Sequence, residues 1–208
     1  MRGILMSSYQ SLSVSTERGN VEMQYYKADN ATCSIILVGG IGGGFDSPCS
    51  GGLYPRLCSI LNSKAISALR IKFCDTHSLD SSVKDVEAGI SFLKQEKISN
   101  IALVGHSFGG AVIIRAAANS PHVKVIITLA TQSYGADVIS NIKSGVASLF
   151  IHGTLDTILP ENCSIYAYTL AHEPKKLRLF KNTGHELSEA EKDIEGEILN
   201  YIDQYLIV

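Results

Sequence analysis

Three residue types that together can do nucleophilic chemistry recur here in suggestive surroundings. Ser107 lies in Gly105-His106-Ser107-Phe108-Gly109, a G-x-S-x-G pattern. A strand-like run, Ile101 to Val104, precedes it, and an Ala-rich helix-forming run follows Gly110. A serine at the tip of such a strand-to-helix turn sits on a strained backbone, with its hydroxyl raised above the sheet. The helix that follows points its N-terminal N–H groups and positive dipole end at that hydroxyl, which favours an oxyanion forming there. A serine hydroxyl is a poor nucleophile until an imidazole takes its proton, so a histidine and a carboxylate are needed as well. His185 follows the strand-like KLRLF in Asn182-Thr183-Gly184-His185-Glu186-Leu187, and Asp156 follows the strand-like ASLFIH in His152-Gly153-Thr154-Leu155-Asp156. Asp137 is a competing acid.

The elements that must position these residues alternate along the chain. Leu12 to Asp29 predicts an antiparallel hairpin turning at Glu17-Arg18-Gly19-Asn20. Ser34 to Val38 is apolar after its first residue, as expected of a central strand buried on both faces. It runs into a loop with seven glycines between Gly39 and Gly52. A helix is predicted over Leu53 to Lys64, with Tyr54, Leu57, Ile60 and Leu61 on one stripe. A strand is predicted over Ala65 to Phe73. Ser81 to Lys97 reads as an amphipathic helix with Val83, Val86, Ile90 and Leu93 inside and Lys84, Asp85 and Glu87 outside. Further strands are expected at Val123 to Ala130, Ala147 to His152 and, at an edge, Lys176 to Phe180. Helices are expected at Glu161 to His172 and Leu187 to Leu206. A hairpin followed by alternating strands and helices predicts a mostly parallel, doubly wound sheet with helices on both faces. No repeat or linker divides residues 1–208, so one domain is expected. In such sheets sites lie at the carboxyl ends of strands, where Ser107, Asp156 and His185 all fall.

With these residues in the order Ser, Asp, His, the chain resembles the α/β-hydrolase superfamily, in particular its small dienelactone-hydrolase-like branch. The anchors are GHSFGG, HGTLDTILP and NTGHEL, and the likeness spans nearly the whole chain. The resemblance implies that Ser107 is the nucleophile, His185 the base and then the acid, and Asp156 the group that orients the imidazole. It implies an oxyanion hole from the backbone N–H groups of Phe108 and Ile41. Many relatives carry His-Gly where this chain has Gly39-Gly40, a departure that the backbone role tolerates. Gly40, His106, Thr131, Gln132 and Tyr134 are candidates to line the substrate pocket. About sixteen residues join the strands ending near Ala130 and beginning near Ala147, a connection with room for a short helix and none for a large lid. The implied activity is cleavage of a small carboxylic ester, thioester or lactone through an acyl-enzyme, with no metal or organic cofactor. Acyl transfer on the same triad, or a non-catalytic small-ligand receptor on the same fold, are the alternatives.

Each candidate also has an ordinary reading: Ser107 and His185 as helix caps, Asp156 as a turn residue. The remaining histidines, His77, His122, His152 and His172 among them, read as packed or solvated. The glycine-rich loop lacks the Gly-Lys-Ser/Thr ending of a phosphate cradle. Bulk properties narrow the partners. A net charge of −2 without basic patches gives no support for nucleic-acid binding. No apolar run approaches the ~20 residues of a membrane span. The first ten residues carry no secretory pattern. Five cysteines, without C-x-x-C spacing, read as reduced thiols in a cytoplasm. A monomer or small homo-oligomer is expected.

Overall fold

A computed structural model describes residues 8–207, so the reading of the N-terminus as free of a secretory pattern falls, for residues 1–7, outside the described residues. Strands β1 (Gln10–Thr16) and β2 (Gly19–Tyr26) form the expected hairpin, with Thr16 opposite Gly19. Then come β3 (Cys33–Val38), α1 (Leu53–Ser63), β4 (Ser67–Lys72), α2 (Leu79–Gln95), β5 (Asn100–His106), α3 (Phe108–Ala118) and β6 (Val123–Leu129). The chain closes with β7 (Ala147–Gly153), α4 (Asn162–Leu170), β8 (Lys175–Phe180) and α5 (Glu191–Tyr205). The strands make one eight-stranded sheet in the order β1-β2-β4-β3-β5-β6-β7-β8. It is antiparallel across β1, β2 and β4 and parallel from β4 to β8.

Strand periodicity of two sorts the core into two layers. Ile36, Val38, Leu103 and Ile126 face α2 and α3 on one side of the sheet. Ile35, Leu37, Val104 and Ile127 face α1 and α5 on the other. The interior strands are buried on both faces, which is why Ile35 to Val38 and Leu149 to Ile151 read as unbroken apolar runs. At the far edge, β8 alternates half-buried with exposed residues, and Lys176 and Arg178 reach Glu197 of α5.

The structure departs from expectation in three places. The last helix begins at Glu191, because Leu187 holds φ 61°, outside any right-handed helix, and a short 3-10 turn, Ser188–Ala190, intervenes. Asp85 of α2 faces inward: Arg18 of the hairpin turn and the Cys74 N–H, each at 2.8 Å, supply the partners a buried carboxylate requires. The strand expected from Ala65 starts at Ser67, since Ala65 has φ 60°. Between β6 and β7 stands only one short 3-10 turn, Asp137–Asn141, so no lid is inserted there.

The two-layer core sets a contrast in stability. Leu103→Ala at the fully buried centre of β5 should cost about 3 kcal/mol, whereas Leu179→Ala, 39% exposed on β8, should cost under about 1 kcal/mol. Urea unfolding midpoints measure both, and equal losses would mean that the core is not where the structure puts it.

Candidate active site

Ser107 stands between β5 and α3 with φ 55° and ψ −120°, a conformation that non-glycine residues avoid. The surrounding backbone enforces it. The Ser107 N–H donates to Leu129 O of β6 at 2.8 Å, and its carbonyl accepts from the Gly110 N–H at 3.0 Å. A β-carbon at Gly105 would collide with the Gly109 carbonyl, and one at Gly109 with the Gly39 carbonyl, so strand, elbow and glycine-rich loop meet only because both lack side chains. A β-carbon added to Gly40 would lie 3.9 Å from Ser107 Oγ, which places the Gly39-Gly40-Ile41 turn against the serine. The N–H groups of Phe108 and Ile41 donate to no backbone acceptor among the described residues.

Asp156 and His185 meet across the ends of β7 and β8. His185 Nδ1 lies 2.6 Å from Asp156 Oδ2, and the carboxylate is fully shielded from water. Asp156 Oδ1 accepts from the N–H groups of Ile158 and Leu159, both at 2.8 Å. Burial pushes the Asp156 carboxyl up, but the hydrogen bonds from His185, Leu159 and Ile158 outweigh it and hold the group below its ordinary range. Asp137, the competing acid, is exposed in the 3-10 turn and bonds no histidine among the described residues.

The loop that carries His185 is fastened on three sides. Leu155 N–H donates to Thr183 O at 2.9 Å, joining it to the acid loop, and Gly153 passes so close to Thr183 that a β-carbon would collide with its carbonyl. The Cys49 N–H donates to Glu186 O at 2.7 Å, joining it to the glycine-rich loop. His106 Nε2 donates to the carbonyl of His185 itself at 3.0 Å, joining it to the elbow. The His106 and His185 rings lie 4.9 Å apart. Burial lowers the pKa of His106, and the neighbouring His185 lowers it further, against the raising effect of the His185 carbonyl. The glycine-rich loop is fixed from beneath by Arg70, which donates to Phe45 O and to Gln24 Oε1, and by Tyr54, whose hydroxyl donates to Val38 O at 3.0 Å.

Asp156 and His185 are therefore in direct contact, and Ser107 lies beside Gly40 and His106. Among the described residues no hydrogen bond joins Ser107 Oγ to the His185 ring. Of the residues expected to line a pocket, Gly40 borders the serine. His106 and Thr131 are buried at 2% and 0% exposure, and Thr131 packs on Gly110. Gln132 is half-buried and bonds Tyr134 O, while Tyr134 is exposed beside an open cleft of about 470 Å³ shared with Ser133, Asn162, Cys163 and Tyr166. A second cavity, about 540 Å³ and lined in part by Pro121, Lys124 and Lys143, lies at the amino ends of β6 and β7, away from this chemistry.

Two supporting residues escaped the sequence reading. His152, at the end of β7, is fully buried, with Nε2 3.1 Å from Asp156 Oδ2. Arg70 is buried under the glycine-rich loop. The signal for both was a polar side chain directly after a large apolar one within a buried stretch of strand. The five cysteines are all free; burial pushes the Cys49 thiol up to about 12, and it donates to Leu187 O. Among the described residues no group of three or more potential metal ligands occurs, and no helix is long and apolar enough to cross a membrane.

No protein-family model matches this sequence, and no curated protein matches it. Solved structures do. A dienelactone hydrolase from Anabaena variabilis superposes with a TM-score of 0.81 at 15% identity, over 97% of this chain and 99% of that one. A serine hydrolase without a lid from Xanthomonas campestris gives 0.75 at 16% identity, over 97% of each chain. The esterase domain of a Rhodothermus marinus protein gives 0.77 at 15%, over 96% of this chain and 99% of that one. The chain has the fold of the lid-less α/β hydrolases, in the form shared with dienelactone hydrolase.

The depressed carboxyl of Asp156 makes a signed prediction. Its proton affinity is lower in the folded chain than in the unfolded one, so it contributes stability above the ordinary carboxylate range and loses it as pH falls through that range. Asp156→Asn should therefore lose about 2 kcal/mol at neutral pH, with the gap to wild type narrowing below about pH 4. Urea unfolding from pH 7 to pH 3 reads it, and a gap that stays constant is the contrary result.

Proposed function

We propose that the protein is a serine hydrolase that cleaves a small carboxylic ester through an acyl-enzyme on Ser107. One observation carries the reading. The strained Ser107 sits against the Gly39-Gly40-Ile41 turn, and a His185–Asp156 pair at 2.6 Å is tied to the same elbow through His106. An ordinary helix cap needs neither the strain nor the paired imidazole.

In the proposed reaction, His185 takes the Ser107 proton as Oγ attacks the acyl carbon. Asp156 keeps Nδ1 protonated and steadies the imidazolium without taking the proton itself. The tetrahedral oxyanion is held by the N–H groups of Phe108 and Ile41, each worth about 3 kcal/mol in the transition state. His185 then gives its proton to the leaving alkoxide, and water repeats the sequence to free the acid. Ser107 and His185 are to come into hydrogen-bond contact as substrate seats, since such bonds are often open before binding. No metal or organic cofactor enters the scheme.

The surroundings support a small substrate. With no insertion between β6 and β7, nothing there encloses a long acyl chain, and the rim exposes Ile41, Leu155 and Ile158 on the strand ends. A thioester or lactone fits the same chemistry. The free thiols support a cytoplasmic setting.

Labelling with a fluorophosphonate tests the nucleophile: wild type should be modified and Ser107→Ala should not. Ser107→Ala and His185→Ala should each lower ester turnover by about a thousandfold or more. Binding of ligand without turnover, unaffected by Ser107→Ala, would instead mark a receptor on this fold. A p-nitrophenyl ester series should favour short acyl groups, and comparable turnover of short and long chains would count against an open, shallow site.

A further inference from the structure

His152 has no part in the scheme above, yet it touches the carboxylate at its centre. It is the residue before Gly153 at the end of β7, four before Asp156, and its side chain is fully buried. Inside an apolar strand an imidazole is costly unless both nitrogens are satisfied. Here both are. Nδ1 lies 2.7 Å from Ser164 Oγ of α4, and Nε2 lies 3.0 Å from Leu159 O and 3.1 Å from Asp156 Oδ2. Leu159 O can only accept, so Nε2 carries the hydrogen, forked between that carbonyl and the carboxylate. In the neutral ring, Nδ1 accepts from the Ser164 hydroxyl.

We propose that His152 is a positioning residue for the catalytic acid, fixing Asp156 so that Oδ2 faces His185. The proposal rests on the reading of Ser107, His185 and Asp156 as a triad. The geometry gives the reason. The backbone N–H groups of Ile158 and Leu159 both bind Oδ1, so they pin one oxygen and leave the carboxylate free to swing about it. Oδ2 has two side-chain donors. One is His185, on a loop and 13% exposed, which is the group to be oriented and which moves protons during the reaction. The other is His152, on the interior strand β7 and bolted through Ser164 to a helix. Only the second can serve as a fixed reference. Its hydrogen also gives Asp156 a fourth donor, so the charge stays satisfied in every step of His185's proton cycle.

The test is steady-state hydrolysis of a short p-nitrophenyl ester by the full chain carrying His152→Met or His152→Gln. Met fills the volume without a donor, while the Gln amide nitrogen reaches the place of Nε2 and keeps an N–H. Expected is a fall in kcat of about tenfold for the Met variant, with KM within about twofold of wild type, and recovery of most of that loss in the Gln variant. Equal kcat in the two variants would overturn the proposal, because a packing role does not distinguish them. Nitrogen-15 NMR of the histidines in the unaltered protein gives a reading that does not depend on variants folding. Nε2 of His152 should carry a hydrogen, and a ring with Nε2 bare would overturn it. Turnover that survives Ser107→Ala would remove the triad and this proposal together. Serine-dependent turnover with equal Met and Gln variants would remove only the role of His152.

Discussion

A carboxylate shut away from water must find its hydrogen bonds in the protein, and Asp156 finds four: two backbone N–H groups and two imidazoles. That requirement shapes this end of the molecule. The acid loop has to curl so that Ile158 and Leu159 turn their N–H groups back on Asp156. The base loop has to bring His185 across from the end of β8. A polar side chain has to be admitted into β7, otherwise apolar from Leu149 to Ile151. If Asp156 lacked these partners, burying it would cost several kcal/mol, a large share of a domain's stability.

The sheet order makes the meeting geometrically cheap. β7 and β8 are parallel neighbours, so their carboxyl ends lie side by side and the loops leaving them are adjacent by construction. β5 lies two strands away, and β3, whose end opens the glycine-rich loop, is its other neighbour. Four strand ends thus deliver Ser107, the turn against it, Asp156 and His185 to one rim. Small residues at Gly105, Gly109 and Gly153 let the backbones touch there. Hydrogen bonds between backbone atoms, together with those from the His106 and Arg70 side chains, then fix the spacing between the loops.

The alternation of strands and helices was legible because central strands buried on both faces are uninterrupted apolar runs, and the helices carry clear stripes. Ser107, Asp156 and His185 stand out as candidates because each follows the carboxyl end of a strand legible in the sequence. What stayed hidden depends on contacts far apart in sequence. Asp85 reads as a solvent-facing helix residue until the hairpin turn brings Arg18 over it. His106 reads as a pocket residue until its ring is seen to hold the carbonyl of His185. His152 reads as filler until the carboxylate four residues later turns back toward it. The start of α5 was misplaced because helix-forming composition at Leu187 to Ala190 is overridden by a left-handed residue that ends the base loop.

The left-handed backbone at Ser107 has an implication for how this protein can change. Conformations of that sort cost of order 1–3 kcal/mol and persist only where the neighbourhood over-determines them. Here the restraints come from β6, from the glycines on both sides and from the first turn of α3. Variation that loosens any of these would let the turn relax and make the fold more comfortable, while retracting the hydroxyl from the rim. On the proposed reading of Ser107 as the nucleophile, selection for heat resistance and selection for reactivity therefore pull on this turn in opposite directions.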